Sequence, residues 1–312
     1  MNIVRSARLG LALFAGALSL AGAHTAAAQR SHFRSDDRSS LDTTVALDKN
    51  GTVSLTATEG NIVVTGGSTN QVHVHATSDE NNLRFDASGS EVTLGIRGGS
   101  DSRYEVSVPY GAHVIAHTRS GDISIRGTRG PVEVRSQSGD VRLADVVSRL
   151  DVNTFSGDIT AESVTADVEI NTLSGDVKLG DLKGDVDIQS VSGDIALHGV
   201  TAKLVRAKTT SGDVTYDGTI DPNGRYELSS NSGDIGLHIP REASAQVTVS
   251  TWNGTVDSQF PITLTPGEHS IGVATSKRYT FQVGGGAARI TAETFSGDIT
   301  ISQNGRGASD RR

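Results

Sequence analysis

The chain has 312 residues, with 36 glycines, six prolines, no cysteine, 4 % aromatic and 35 % apolar residues, and a formal net charge of −8 at pH 7. Without cysteine there can be no disulfide framework and no lipid attached through an N-terminal cysteine, and the acidic balance argues against a nucleic-acid binder. So many glycines with so few aromatic residues suit a thin β-structure with many turns and a core of small branched side chains.

In chain order, residues 1–28 read as a secretory signal peptide. Arg5 and Arg8 precede an apolar run from Leu9 to Ala21, and Ala26-Ala27-Ala28 offers a small-x-small cleavage site before Gln29. That run is shorter than the ~20 apolar residues needed to span a bilayer. No second hydrophobic span follows, so an exported mature chain without a transmembrane span is expected, in the periplasm or outside the cell. Residues 29–42 are expected to form a flexible leader, residues 43–302 a single repeat domain, and residues 303–312 a disordered tail.

The repeat is a triplet followed by Ile or Val. Ser120-Gly121-Asp122, Ser138-Gly139-Asp140, Ser156-Gly157-Asp158, Ser174-Gly175-Asp176 and Ser192-Gly193-Asp194 follow one another at intervals of 18 residues. Ser211-Gly212-Asp213 and Ser232-Gly233-Asp234 come after small insertions, and Ser296-Gly297-Asp298 after a long interruption. Degraded copies stand at Gly60-Asn61-Ile62 and Asn253-Gly254-Thr255. A strict period sustained this long marks one turn of a repeating structure.

Counted from Gly175, apolar residues occupy places 3, 5, 8, 12 and 14 (Val177, Leu179, Leu182, Val186 and Ile188). This is strand alternation and not helical spacing. A unit this small cannot bury its apolar side alone, so successive units must stack at about 4.8 Å per turn. The fold class is therefore all-β: a single-stranded parallel β-solenoid, or β-helix, with ~18-residue coils. Place 16 carries a hydroxyl column, Ser136, Thr154, Thr172, Ser190, Thr209 and Ser230, read as a corner filler able to hydrogen-bond along the axis. Place 17 holds Phe155, Leu173, Val191, Trp252 and Phe295. These read as a second apolar stripe, with stacking on sugar as the alternative. Residues 78–112 and 261–288 fit the repeat poorly and are expected to be loops or hairpins extruded from the coil.

Stacking should align Asp122, Asp140, Asp158, Asp176, Asp194 and Asp213 along one edge. Carboxylates about 5 Å apart repel by roughly 1 kcal/mol even in water, so the ladder needs compensation. Backbone N–H donors of each aspartate's own turn are the expected source; bound calcium between rungs is the alternative. No catalytic residue and no cofactor is expected, because a serine or acid present in every turn reads as a turn residue and no Gly-x-Ser-x-Gly elbow is present. A polysaccharide lyase or glycoside hydrolase is the enzyme alternative, since stacked acids meet the carboxylate spacing trivially. His73 and His75 share a strand face and could hold a metal ion given a third ligand, which the sequence does not name; His113 and His117 are weaker candidates.

The triplets, the opening Thr58-Glu59-Gly60-Asn61-Ile62 and the segment Val106-Ser107-Val108-Pro109-Tyr110-Gly111-Ala112 resemble the bacterial domain of unknown function catalogued as a putative adhesin. The resemblance covers nearly all of the mature chain and implies an exported or envelope-associated β-solenoid. It brings no catalytic residues. The expected role is an adhesin-like binding or structural module of the envelope, with an envelope polysaccharide or another envelope protein as partner.

Overall fold

The computed structural model describes residues 39–79, 83–96, 102–261 and 277–304. The expected signal peptide, most of the expected leader and nearly all of the expected tail lie outside these residues. Two sheets of 13 strands each face one another across a core of Val, Ile, Leu and Ala. In the regular coils each turn gives four residues to a narrow sheet (Ile123–Arg126, Val141–Ala144, Ile159–Glu162, Val177–Gly180) and seven to a wide one (Val132–Ser138, Leu150–Ser156, Val168–Ser174, Val186–Ser192). Neighbouring strands are parallel and in register, so Val134, Val152, Ile170 and Ile188 form one buried column. The parallel β-solenoid expected from the 18-residue period is what forms.

A third column closes the side opposite the triplets. Val146, Val164, Leu182 and Val200 are buried between the sheets. Their coils are tied by Thr165 N–H to Val146 O and Lys183 N–H to Val164 O, both 2.8 Å, and by a bridge from Lys183 to Thr201. The preceding turn is left-handed in five successive coils: Gly127, Asp145, Ser163, Asp181 and Gly199 have φ of 71°, 54°, 55°, 50° and 64°. Asp tolerates this region through local hydrogen bonding, whereas Ser is more strained there.

The two ends depart from the order of the sequence. The coil carrying Ser296 does not follow the Asn253 copy along the axis; Arg225–Ser232 pairs directly with Ala288–Ser296, and Ala245–Asn253 stacks on the far side of it. In the narrow sheet Ile299–Gln303 likewise lies between Ile235–Ile239 and Val256–Ser258. At the other end Thr52–Glu59 and Asn61–Gly67 take His113–Ser120 and Ile123–Arg126 on one side. Their other side is covered by Glu91–Ile96 and Ser102–Pro109.

The segment 78–112 is therefore a closing coil laid over the end, not an extrusion. It is finished by antiparallel strands: Gln71–Ser78 on Ser102–Pro109, Leu83–Ala87 on Glu91–Ile96, and Ser39–Ala46 outermost. Ser39 to Asp42 thus begin a strand, although they fall within the expected leader. Of 261–288, residues 262–276 lie outside the described residues, and Lys277–Val283 forms an antiparallel edge strand on Ala245–Asn253. Antiparallel and short strands at both ends blunt the open edges that would otherwise pair with other chains.

Candidate functional site: the triplet corner and the outer face of the wide sheet

Each triplet forms the corner that passes from the wide sheet to the narrow one. The eight triplet glycines have φ between 113° and 157°, and a Cβ on any of them would fall 2.0–2.4 Å from the carbonyl oxygen of the corner glycine stacked against it. Only glycine satisfies both the dihedral and the close approach. Seven of the eight serines supply a carbonyl that accepts the glycine N–H of the coil stacked before them, as in Gly121 N–H to Ser138 O at 3.1 Å.

The aspartates form a continuous ladder, and its donors come from the next coil. Asp140 N–H donates to Asp122 Oδ1 (3.0 Å), Asp158 to Asp140 (3.1 Å), Asp176 to Asp158 (2.9 Å), Asp194 to Asp176 (3.1 Å) and Asp213 to Asp194 (2.8 Å). Asp234 and Asp298 continue it at 2.8 Å each. Asn61 Oδ1 starts it by accepting from Asp122, and Thr255 ends it by donating its N–H to Asp298. The expectation that each aspartate accepts from its own turn is thus corrected. The glycine bend leaves the Asp N–H aimed along the axis with no carbonyl opposite, and the side chain of the preceding coil fills the gap. Charge is offset locally: Arg142 reaches Asp122 at 3.2 Å and Asp140 at 2.8 Å, and Lys178 reaches Asp176 at 3.4 Å. Oδ1 of every triplet carboxylate thus accepts from a neighbouring coil, and among the described residues no group of three His, Asp or Glu side chains is set to hold a metal ion.

The hydroxyl column is buried and caps the corner. Thr118, Ser136, Thr172, Ser190 and Thr209 donate to the carbonyl two residues on, at 3.1–3.3 Å. Along the axis Thr154 donates to Thr172 at 2.9 Å, and Thr209, Ser230, Thr251 and Thr294 donate to the corner-glycine carbonyls of neighbouring coils at 2.8–3.2 Å.

On the wide sheet, places 13, 15 and 17 point outward and form three columns. Place 13 is mostly acidic, with Arg206 among the acids; Arg149 pairs with Glu169 at 2.7 Å, and Arg206 with Asp187 at 2.9 Å and Glu227 at 3.4 Å. The Arg225 hydrogen bond first, and Arg206 after it, hold the Glu227 carboxyl below its ordinary range, against a smaller opposing effect of burial. Place 15 carries Asn153, Asn171 and Gln189, with Asn171 Nδ2 donating to Asn153 Oδ1 at 3.3 Å. At the His117 coil, burial and then Arg135 lower the imidazole's affinity for a proton against the opposing pull of Glu133.

Place 17 is exposed, not a second core stripe. Phe155, Leu173 and Val191 stand in three consecutive coils with relative exposures of 58, 38 and 47 %, and Phe295 and Trp252 expose 54 and 49 %. The last two rings stack at 6.0 Å between centroids and 11° between planes. The parity of the repeat carries this signal, since places 12, 14 and 16 point inward. A shallow groove beside these columns is lined by Arg149, Glu169, Asp185 and Leu204, among others. Asp185 Oδ1 there accepts the N–H groups of Lys203 (3.2 Å) and Leu204 (2.9 Å).

A family model described as Toastrack DUF4097 matches residues 38–302. The chain belongs to the Toastrack family. Among solved structures it is similar to a putative adhesin from Parabacteroides merdae, at 14 % identity and a TM-score of 0.49 over 86 % of this chain and 97 % of that one. A putative adhesin from Parabacteroides distasonis is similar at 12 % identity and a TM-score of 0.42, over 85 % and 97 %. No functionally curated protein matches the sequence.

In this Toastrack chain all eight triplets, from Ser120-Gly121-Asp122 to Ser296-Gly297-Asp298, are brought into one corner. The two histidines do find a third group. His75 Nδ1 lies 3.4 Å from Asp42 Oδ2 and His73 Nε2 lies 3.8 Å from Asp42 Oδ1, with Thr44 Oγ1 3.0 Å from His73 Nδ1. Asp42 escapes sequence reading because it precedes the recognisable repeat. This cluster ties the outermost strand to its neighbour. The residues 262–276 beneath which an enzymatic cleft would be sought lie outside the described residues.

Proposed function

We propose that the chain is an exported, adhesin-like binding module of the bacterial envelope, not an enzyme, and that its contact surface is the outer face of the wide sheet. One observation carries this reading: apolar side chains at place 17 stand exposed in register on a rigid, otherwise polar face. Nothing in the packing of the coil requires them there, because the core is complete without them. Contiguous exposed apolar side chains rimmed by polar ones commonly mark interaction sites. The triplet corner, by contrast, spends its glycines and one oxygen of each aspartate in holding coil to coil. The test is retention of the purified chain, residues 29–312, on envelope fragments from the producing cells. Phe155→Ser, Leu173→Ser and Val191→Ser combined should abolish retention while leaving the thermal midpoint in place. Retention equal to that of the unaltered chain would sink the assignment of the face.

A further inference from the structure

We infer that this face takes a linear, uncharged glycan running along the solenoid axis, seated first on the coils of Ser156, Ser174 and Ser192; the inference rests on the binding-module reading above. In these coils the three outward columns are Asp151, Glu169 and Asp187, then Asn153, Asn171 and Gln189, then Phe155, Leu173 and Val191. A sugar ring has an apolar C–H face and a rim of hydroxyls. An apolar column beside an amide column offers both halves of that match in one plane, since each amide brings two N–H donors and a carbonyl acceptor. The Asn171-to-Asn153 and Asn153-to-Asp151 bonds use only part of that capacity and leave Gln189 untouched.

Size separates a glycan from a protein partner. Columns 13 to 17 span about 13 Å along the strand, and three coils span about 10 Å along the axis. That is the footprint of two or three sugar rings. A stable protein interface covers roughly 800 Å² on each partner, around an apolar centre several residues wide. A single file of three side chains is too narrow for that centre. Charge separates a neutral polymer from an anionic one. Glu169 and Asp187 are already paired with Arg149 and Arg206, and Asp151 accepts from Asn153 Nδ2 at 2.5 Å. The margin of these three coils therefore offers acceptors to hydroxyls, and the exposed Lys208, in register with Gln189, stands one coil beyond them. The Phe295–Trp252 pair lies further along the same column, six coil spacings or about 29 Å from Phe155 to Trp252. A polymer following the axis meets both, and a short oligosaccharide meets one.

The experiment uses residues 29–312 on envelope fragments that are untreated, oxidised with periodate to cleave vicinal diols, or digested with protease. Retention lost after periodate and kept after protease is expected, together with at least a tenfold loss for the Phe155→Ser, Leu173→Ser, Val191→Ser chain. A smaller loss, about threefold, is expected for Asn153→Ala with Asn171→Ala, and another for Trp252→Ala with Phe295→Ala. Retention that survives periodate and is lost to protease would overturn the glycan while leaving a binding module. Periodate sensitivity with full retention by the altered chains would overturn the face. No retention on untreated fragments would overturn the underlying reading itself. Circular dichroism of each altered chain separates lost binding from lost folding.

Discussion

Asp158 offers a clean separation of hydrogen bonding from charge in the corner ladder. Asp158→Ala removes the acceptor of the Asp176 N–H, now 2.9 Å away, and leaves Asp158's own N–H on Asp140. A hydrogen bond to a charged acceptor contributes about 1.5–3 kcal/mol, and water can partly replace an acceptor at this exposed corner. The expected loss is therefore about 1–1.5 kcal/mol. Asp158→Asn keeps Oδ1 and deletes the charge. Each like neighbour one coil away costs at most about 0.9 kcal/mol in water, and Arg142 and Lys178 already offset part of it. The Asn chain should thus equal the unaltered one or exceed it by up to about 1 kcal/mol at low salt. The gap should close near 1 M salt, where the Debye length falls to about 3 Å. Urea-unfolding midpoints followed by circular dichroism measure both. If Asn proved as damaging as Ala, the ladder would depend on charge and not on hydrogen bonding. A midpoint that rose with calcium in the unaltered chain alone would then identify the ion.

The corner glycines should be intolerant where other glycines are not. Gly175→Ala, with φ of 118° and a Cβ 2.2 Å from Gly157 O, should cost more than about 3 kcal/mol, whereas Gly180→Ala, whose nearest neighbour is Glu162 Cγ at 3.8 Å, should stay within about 0.5 kcal/mol by the same midpoints. Ser163→Gly relieves a left-handed residue at φ 55° and should raise the thermal midpoint, by an amount equivalent to about 1 kcal/mol. Tyr226→Phe leaves the Asp221 N–H and the Ala202 carbonyl without their 2.8 Å partner and should cost about 1–3 kcal/mol in denaturant titration. Glu227 is held below its ordinary value in the folded chain. Its contribution is present above about pH 4.3 and is lost as pH falls through the depressed value, so Glu227→Gln should flatten the acid limb of the midpoint-versus-pH curve. His117 acts in the same direction higher up: stability should fall as pH drops below about 6.5, and His117→Gln should remove that step.

The regular coils were legible because every constraint on them is local. Alternation at Val186 and Ile188, the glycine at Gly175 and the 18-residue spacing all agree on one conformation. The ends were not legible, because which coil stacks on which is decided by pairing across long separations. Asn253-Gly254-Thr255 has the pattern of the next turn, yet the better-formed Ser296 triplet takes the place beside Ser232. The direction of the aspartate ladder was hidden for a related reason. The 18-residue spacing shows that the acids align, but not which coil supplies the N–H. At place 17, the run of apolar residues suggested a second buried stripe, and strand parity decided against it.

The displaced last coil has a consequence for how the chain can be made. A solenoid can ordinarily grow turn by turn, each new turn adding to a finished one. Here Ala245–Asn253 emerges before Ala288–Ser296, the strand it must lie upon, and so has no template while synthesis passes through it. The far end of the rod can close only when the final residues arrive and slot in behind a segment already made. A chain cut short after Phe260 would keep its regular coils but carry an orphaned strand in place of a finished end, which makes closure of that end a report on completeness.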